Sequence, residues 1–331
     1  MSHPVPLQSF LGGLTIPLPV HALTLLNGNV FGISGFLHRA VKGNVEGAAG
    51  VAGLVLGGML VAAIDGGVAP TSLPLPIIHV AISGFLVGLG TKLSNGCTSG
   101  HMICGLSRFS QRSLVATASF FTTGVITASL VHRDLPAVAS VDWSLGANGA
   151  KYLAFQLFPF AASLALYALV RSSAPAPATP NAAGSKYYQP AKVLRTLGFV
   201  TTAVQFALAL QLSNLTDPLR VVSFLLLPWH RAFDPSLAAL AAGALPLAIG
   251  LWRYARGGEV PVCGGKWNIP KGGCIDWKLV TGAALFGVGW GLAGVCPGPG
   301  LVNIGRAVVA GGNITPFATY LIALVAGGLL V

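Results

Sequence analysis

The chain has 331 residues, of which 53% are hydrophobic and only 8% are charged, and its formal net charge is +11. A soluble domain carries about 25% charged residues, so this composition excludes an ordinary globular surface and indicates that most of the surface faces lipid. The Lys and Arg residues fall almost entirely between apolar runs, which is typical of cytoplasmic loops and argues against nucleic-acid binding.

Long apolar runs follow one another along the whole chain. A spanning helix needs about 20 mostly apolar residues. The runs of about that length are 6–26, 46–64, 76–95, 113–131, 152–171, 193–213, 236–252, 277–295 and 314–331. The sequence therefore predicts an all-α polytopic membrane protein with about nine transmembrane helices, expected in the plasma membrane.

Four shorter apolar stretches, each after a loop that contains Gly or Pro, predict short re-entrant helices. They are 30–40, 102–110, 218–227 and 300–310. Irregular backbone at membrane depth is tolerated where protein or a water-filled cavity surrounds it. The loops before these stretches are therefore expected at the centre of the protein.

The order of long helix, loop, short helix and long helix recurs along the chain and predicts an internal repeat. The first half covers 1–133, a connecting transmembrane helix and linker cover 134–189, and the second half covers 190–331. One spanning helix between two such halves would invert the second relative to the first. The basic segment 253–278 and the linker 172–192 are expected in the cytoplasm.

Two cysteines stand in the same glycine frame, one in each half. Gly88-Leu-Gly90 precedes Cys97, and Gly287-Val-Gly289 precedes Cys296, with six residues between the frame and each thiol. A buried cysteine is usually a small apolar residue, but the repetition favours a shared site where free N–H groups at short-helix N-termini attract an anion. The residues predicted to bind substrate are Cys97, Cys296, Thr98, Ser99, Gly100, His101, Asn27, Gly28 and Gly298.

The remaining chemistry-bearing residues have simpler interpretations. Cys104 fits an apolar helix position, and Cys263 and Cys274 lie in a polar loop that could be disulfide-linked only if it were external. Asp217 and Asp234 are typical helix-capping residues. The sequence has no phosphate-binding loop, zinc signature or haem attachment motif, so neither a cofactor nor a metal is expected.

Several segments resemble the YeeE/YedE sulphur-transport family, whose members take up thiosulfate. They include Gly96-Cys-Thr-Ser-Gly-His101, Cys104-Gly-Leu-Ser-Arg108 and Leu26-Asn-Gly-Asn-Val-Phe-Gly-Ile-Ser-Gly35. The second half is similar to a companion subunit of short family members through Leu215-Thr-Asp-Pro218, Asp234-Pro-Ser-Leu237 and the stretch 287–299. The chain thus looks like a fusion of two half-transporters.

The resemblance implies an hourglass-shaped protein in which cysteine thiols relay thiosulfate, a role that falls on Cys97 and Cys296. A cytoplasmic sulfurtransferase is a candidate partner. The family's opening loop holds a further cysteine, where this chain has Asn27, Gly28 and Asn29. The alternatives are a membrane sulfurtransferase that forms a persulfide on Cys97 and a membrane scaffold without transport.

Overall fold

A computed structural model describes residues 3–173 and 192–331, and within these ranges the chain forms helices and no strand. The α-helices are α1 (Pro6–Thr15), α2 (Pro17–Asn27), α3 (Ile33–Val41), α4 (Val45–Ile64), α5 (Ile77–Leu93), α6 (Gln111–Val131), α7 (Gly149–Ser173), α8 (Lys192–Leu212), α9 (Pro218–Leu225), α10 (Ser236–Ala255), α11 (Trp277–Ala293), α12 (Pro297–Ala310) and α13 (Thr315–Leu329). Between α5 and α6 lie a π-helical segment (Ser99–Gly105) and a 3-10 turn (Leu106–Arg108).

The helices confirm the prediction of a polytopic membrane protein. Seven helical segments among the described residues are long and apolar enough to cross a bilayer, and α5 and α13 are shorter apolar helices. The first spanning segment is divided between α1 and α2 at Ile16, because Pro17 cannot donate a backbone hydrogen bond. The four predicted short helices appear as α3, the segment 99–108, α9 and α12.

Helix contacts between the two halves occur in symmetric pairs. Each contact has a counterpart in which the corresponding helices of the two halves take each other's place. When α1 and α2 are counted as one divided helix, the third helix of each half packs on the first helix of the other, so α4 lies beside α8 and α10 beside α1. Likewise, the last helix of each half packs on the helix of the other half that precedes its cysteine loop, so α6 lies beside α11 and α13 beside α5. Helices α5 and α11, which carry the glycine frame, also pack on each other. This pattern is that of two interlocked repeats.

The direction of the paired helices shows that the repeats are inverted. Gly84 of α5 contacts Tyr320 of α13, and Gly88 contacts Leu324 one turn further along, so these two helices run parallel. The equivalent helices α5 and α11 run antiparallel. A helix that packs antiparallel on its own counterpart is expected for repeats related by an axis in the membrane plane.

The glycine frame before each cysteine is a packing motif of this arrangement. A Cβ on Gly88 would overlap the backbone of α13, and a Cβ on Gly287 would overlap the backbone of α6. The second glycine of each frame, Gly90 or Gly289, touches the helix that carries the other frame. The frame therefore holds the two cysteine-bearing loops at matched positions, since small residues let membrane helices approach closely.

Replacement of Gly88 by alanine should destabilise the protein, because the new Cβ has no space beside the Leu324 carbonyl. Overpacking of this kind costs about 1–3 kcal/mol. Thermal unfolding of the detergent-solubilised protein should show a lower midpoint for this variant. Gly250→Ala in α10 is the control, because nothing lies within 4 Å of a Cβ at that position. Equal midpoints for the two variants would contradict the packing role of the frame.

Charged residues separate the two ends of the bundle. One end, here called the basic face, is where α4, α6, α8 and α11 begin. Contacts within this face include an ion pair between Arg195 and Glu46 and a hydrogen bond from Arg112 to the Cys274 carbonyl. The basic residues at this face are Arg39, Lys42, Lys92, Arg108, Arg112, Arg171, Lys192, Arg195, Arg253, Arg256, Lys266, Lys271 and Lys278. Its carboxylates in the described ranges are Glu46, Glu259 and Asp276.

At the opposite face, five carboxylates balance five Lys and Arg residues in number among the described residues, and some of them form ion pairs. Arg220 contacts Asp234 at 2.8 Å, and Arg306 contacts Asp65 at 3.5 Å. Asp65, at the end of α4, also accepts hydrogen bonds from Tyr152 and Asn148 at the start of α7. The two ends of the bundle thus differ in net charge, which bears on orientation in the membrane.

Candidate functional site

The loops that carry Cys97 and Cys296 meet inside the bundle. The first loop follows α5 from the basic face, and the second follows α11 from the opposite face. Cys97 is 2% exposed and Cys296 is 4% exposed. The Thr98 hydroxyl contacts the Cys296 sulfur at 3.5 Å. Two thiols separated by 199 positions are thus brought together, as the matching frames predict.

Both thiols line one cavity of about 130 Å³, here called the apolar chamber. This volume is far above the ~10–15 Å³ that a single water needs. Its walls include Leu210, Phe224 and Leu240, from the side of the protein where α8 ends and α10 begins. None of the described residues that line it is charged. The polar groups at its surface are therefore neutral: thiols, hydroxyls, backbone groups and one indole.

Both hydroxyls beside Cys97 interact with sulfur. The Ser99 Oγ lies 3.3 Å from the Cys97 Sγ, within the range of a weak sulfur hydrogen bond. Thr98 makes the contact to Cys296 from the neighbouring position. A thiol is a weak donor and a weak acceptor, so this group of side chains offers several weak, neutral contacts.

The loop of Cys97 separates the apolar chamber from a second cavity. Cys97, Thr98 and Ser99 line the chamber, whereas Gly100 and His101, the next two residues, line a cavity of about 670 Å³ at the basic face. We call this second cavity the basic vestibule. A solute that moved from one cavity to the other would have to pass this loop.

The basic vestibule collects cationic side chains that the sequence does not place together. Arg39 comes from α3, Lys92 from α5, and Arg108 and Arg112 from the segment before and within α6. No carboxylate stands among the described residues that line it. The His101 Nε2 is buried there without a hydrogen-bond partner, while its Nδ1 contacts the Ser113 hydroxyl at 3.2 Å. The vestibule is a favourable environment for an anion.

The helix N-termini contribute less to the site than the sequence suggests. At the start of α12, Pro297 and Pro299 have no N–H, so Gly298 alone among the first three residues offers one. At α9 the Asp217 carboxylate accepts the Leu219 N–H, which confirms the predicted cap and places a negative charge at that terminus. The site therefore depends more on side chains than on helix dipoles.

Asn27 and Gly28 lie apart from the two cysteines. The Asn27 amide donates to the Arg195 carbonyl at 2.9 Å and is fully buried between α2 and α8. Gly28 ends α2 in the left-handed conformation, with φ 67°, and lies beneath the loop at Trp267. Neither residue lines the chamber or the vestibule. Asn29 lines the vestibule instead, and its side chain is hydrogen-bonded to Asn268.

The other three cysteines occupy different surroundings. Cys104 packs in the core and lines a small cavity other than the chamber. Cys263 is buried against Leu26 and its thiol is free, as is that of exposed Cys274. Burial raises the pKa of Cys263, an effect that Arg195 partly opposes, so this thiol stays protonated at neutral pH. The loop cysteines are thus remote from the paired thiols.

Two families match the chain, one in each half. A family described as "Sulphur transport" matches residues 8–127. A family of unknown function, DUF6691, matches residues 194–331. Residues 128–193, which include α7, lie between the two matches. No solved structure matches the chain significantly.

Curated relatives of the chain are short proteins from Xylella fastidiosa. One from strain 9a5c, described as "Probable transporter", is 41% identical over 123 residues, which are 37% of this chain and 91% of the relative. A second protein of that description from the same strain is 31% identical over 134 residues, 40% of this chain and 87% of the relative. Each relative is matched along most of its own length.

Proposed function

The chain belongs to the YeeE/YedE-type sulphur transport family, and from that premise we propose that it takes up thiosulfate through the constriction between Cys97 and Cys296. The observation that carries this proposal is the meeting of the two thiols in an apolar chamber, which the Cys97 loop separates from a basic vestibule. Two fused halves, 1–133 and 190–331, would each supply one thiol, and 134–189 would connect them across the membrane.

The orientation follows from the charge difference between the two faces. Loops rich in Lys and Arg remain on the cytoplasmic side, so the basic face is cytoplasmic and the apolar chamber opens towards the exterior. In the plasma membrane an anion would then move from an uncharged entrance to a cation-lined exit. Such an order stabilises the anion at the cytoplasmic end of the path, while the electrochemical gradient sets the direction of net movement.

The constriction supplies weak contacts in place of a fixed charge. An anion that enters the chamber loses water, which is costly unless hydrogen bonds replace it. The thiols of Cys97 and Cys296 and the hydroxyl of Ser99 can each donate to it. Because these donors are neutral, binding is weak enough to allow release, as conduction requires.

The vestibule completes the path on the cytoplasmic side. Lys92, Arg39 and Arg108 would attract the anion once it has passed the Cys97 loop. The opening at this face is also where a cytoplasmic sulfurtransferase would receive the sulfur compound. Since the apolar chamber offers no charged side chain to activate a thiol for covalent attack, non-covalent passage is favoured over persulfide formation.

Radiolabelled uptake by liposomes that contain the purified protein tests this function. Labelled thiosulfate should accumulate, with unlabelled thiosulfate as the strongest competitor and sulfate, which has no sulfane sulfur, as a weak one. Mass spectrometry of the protein after uptake should find unmodified Cys97. Persulfide on that residue without accumulation would identify a sulfurtransferase, and absence of both would leave a scaffold.

A further inference from the structure

The indole of Trp290 has a buried N–H that faces no acceptor. Trp290 is 4% exposed, and its Nε1 has no hydrogen-bond partner among the described residues. Buried tryptophans usually find such a partner. The same side chain lines the apolar chamber together with Cys97 and Cys296. Trp290 and the two free cysteines therefore line one cavity.

The packing of the ring explains which edge is free. The Cε3 edge of Trp290 lies against Gly124 of α6, and the ring contacts Phe120 and Phe286 edge-on or at a tilt. The N–H is on the edge opposite Cε3. Aromatic and helix contacts thus hold the ring from the Cε3 side, and no described acceptor pairs with the N–H on the other edge.

The chemistry of the chamber defines what such a donor can bind. The chamber has no charged lining residue among those described, and the neutral side chains with a donor that line it include Trp290, Cys97, Cys296, Thr98 and Ser99. Donors that converge on an otherwise apolar space fit an acceptor-rich guest. An oxyanion has several acceptor oxygens, and indole is a donor only.

We propose that Trp290 is the oxygen-binding donor of an anion subsite in the apolar chamber, on the exterior side of the Cys97 loop. An oxygen of the sulfur oxyanion accepts from the indole N–H, and its terminal sulfur lies towards Cys97 and Cys296. The subsite rests on the proposed transport function, and it adds a selective element: the guest needs an oxygen end and a soft sulfur end. No covalent bond is formed.

Replacement of Trp290 by phenylalanine keeps an aromatic ring and removes the donor. The KM for thiosulfate uptake should rise about tenfold, as expected for loss of a hydrogen bond to a charged acceptor, with a smaller change in maximal rate. Trp290→His, which retains a ring N–H, should recover part of the affinity. Trp229→Phe is the control, because that indole is 76% exposed and outside both cavities.

A binding measurement separates the subsite from transport itself. Thiosulfate should shift one indole resonance in the ¹⁹F spectrum of protein labelled with 5-fluorotryptophan, and the shift should persist in Cys97→Ala and be absent in Trp290→Phe. An unchanged KM in Trp290→Phe, or a spectrum that thiosulfate does not alter, would overturn the subsite and leave the N–H to water. If the wild-type protein takes up no thiosulfate, the transport function fails instead.

Discussion

Thiosulfate uptake should fall to the level of empty liposomes when Cys97 is replaced by alanine. Cys97 lies in the loop that separates the apolar chamber from the basic vestibule, and it lines the chamber. Alanine removes the thiol that this loop contributes to the proposed constriction. Uptake of labelled thiosulfate at equal amounts of reconstituted protein measures the effect.

Loss of uptake in this variant should not reflect unfolding. A single buried substitution typically costs about 0.5–3 kcal/mol, and removal of one sulfur is a small change within that range. Cys104→Ala is the matched control, because Cys104 is also buried, lies in the short segment that follows the Cys97 loop, and does not line the chamber. It should retain most of the uptake, with a similar elution profile in detergent.

Cys97→Ser distinguishes two roles for the thiol. Serine keeps a hydrogen-bond donor but cannot carry a persulfide, so partial uptake would support hydrogen-bonded passage. Complete loss in both variants would favour a covalent step. Wild-type uptake by the alanine variant would refute any role of this cysteine.

Reversal of charge at Lys92 should reduce uptake about ten- to a hundredfold at low salt, within the range by which charged clefts alter anion capture. Lys92 lines the vestibule and its ammonium group makes no hydrogen bond or ion pair with any described residue, so Lys92→Glu changes the potential with little structural cost. The defect should diminish as ionic strength rises, because salt screens the interaction. Initial uptake rates at several salt concentrations provide the measurement.

Two further variants make this prediction specific. Lys92→Arg keeps the charge and should behave as wild type. Lys278→Glu reverses a charge at the same face but outside the vestibule, where Lys278 lies beside Trp277, and should have a much smaller effect. Similar defects in Lys92→Glu and Lys278→Glu would show that the face as a whole, and not the vestibule, attracts the anion.

The helices and the meeting of the cysteines could be predicted from the sequence because each has a local signal. Apolar runs of about 20 residues located the spanning segments, and the repeated frame before Cys97 and Cys296 indicated one shared site. The frame's glycines proved to be packing positions that fix where the loops begin. A pattern of small residues does not by itself distinguish packing from ligand approach.

No local sequence pattern predicted the basic vestibule. Arg39, Lys92 and Arg112 come from three different helices, and only the fold brings them to one cavity. Asn27 was chosen for its place in an opening loop, but α2 extends through it and directs its amide to α8. Trp290 was overlooked because a tryptophan in an apolar run resembles any core residue until its N–H is seen without a partner.

The packing of helices from one half against helices of the other has a consequence for biosynthesis. When the ribosome has completed the first half, α5 and α6 already lie in the bilayer without α13 and α11, the helices that they pack against in the finished protein. Their glycine-lined surfaces must remain exposed to lipid or to an insertion chaperone until the last helix is made. The chamber and the vestibule can therefore form only after synthesis is nearly complete, so a nascent chain cannot conduct anions prematurely.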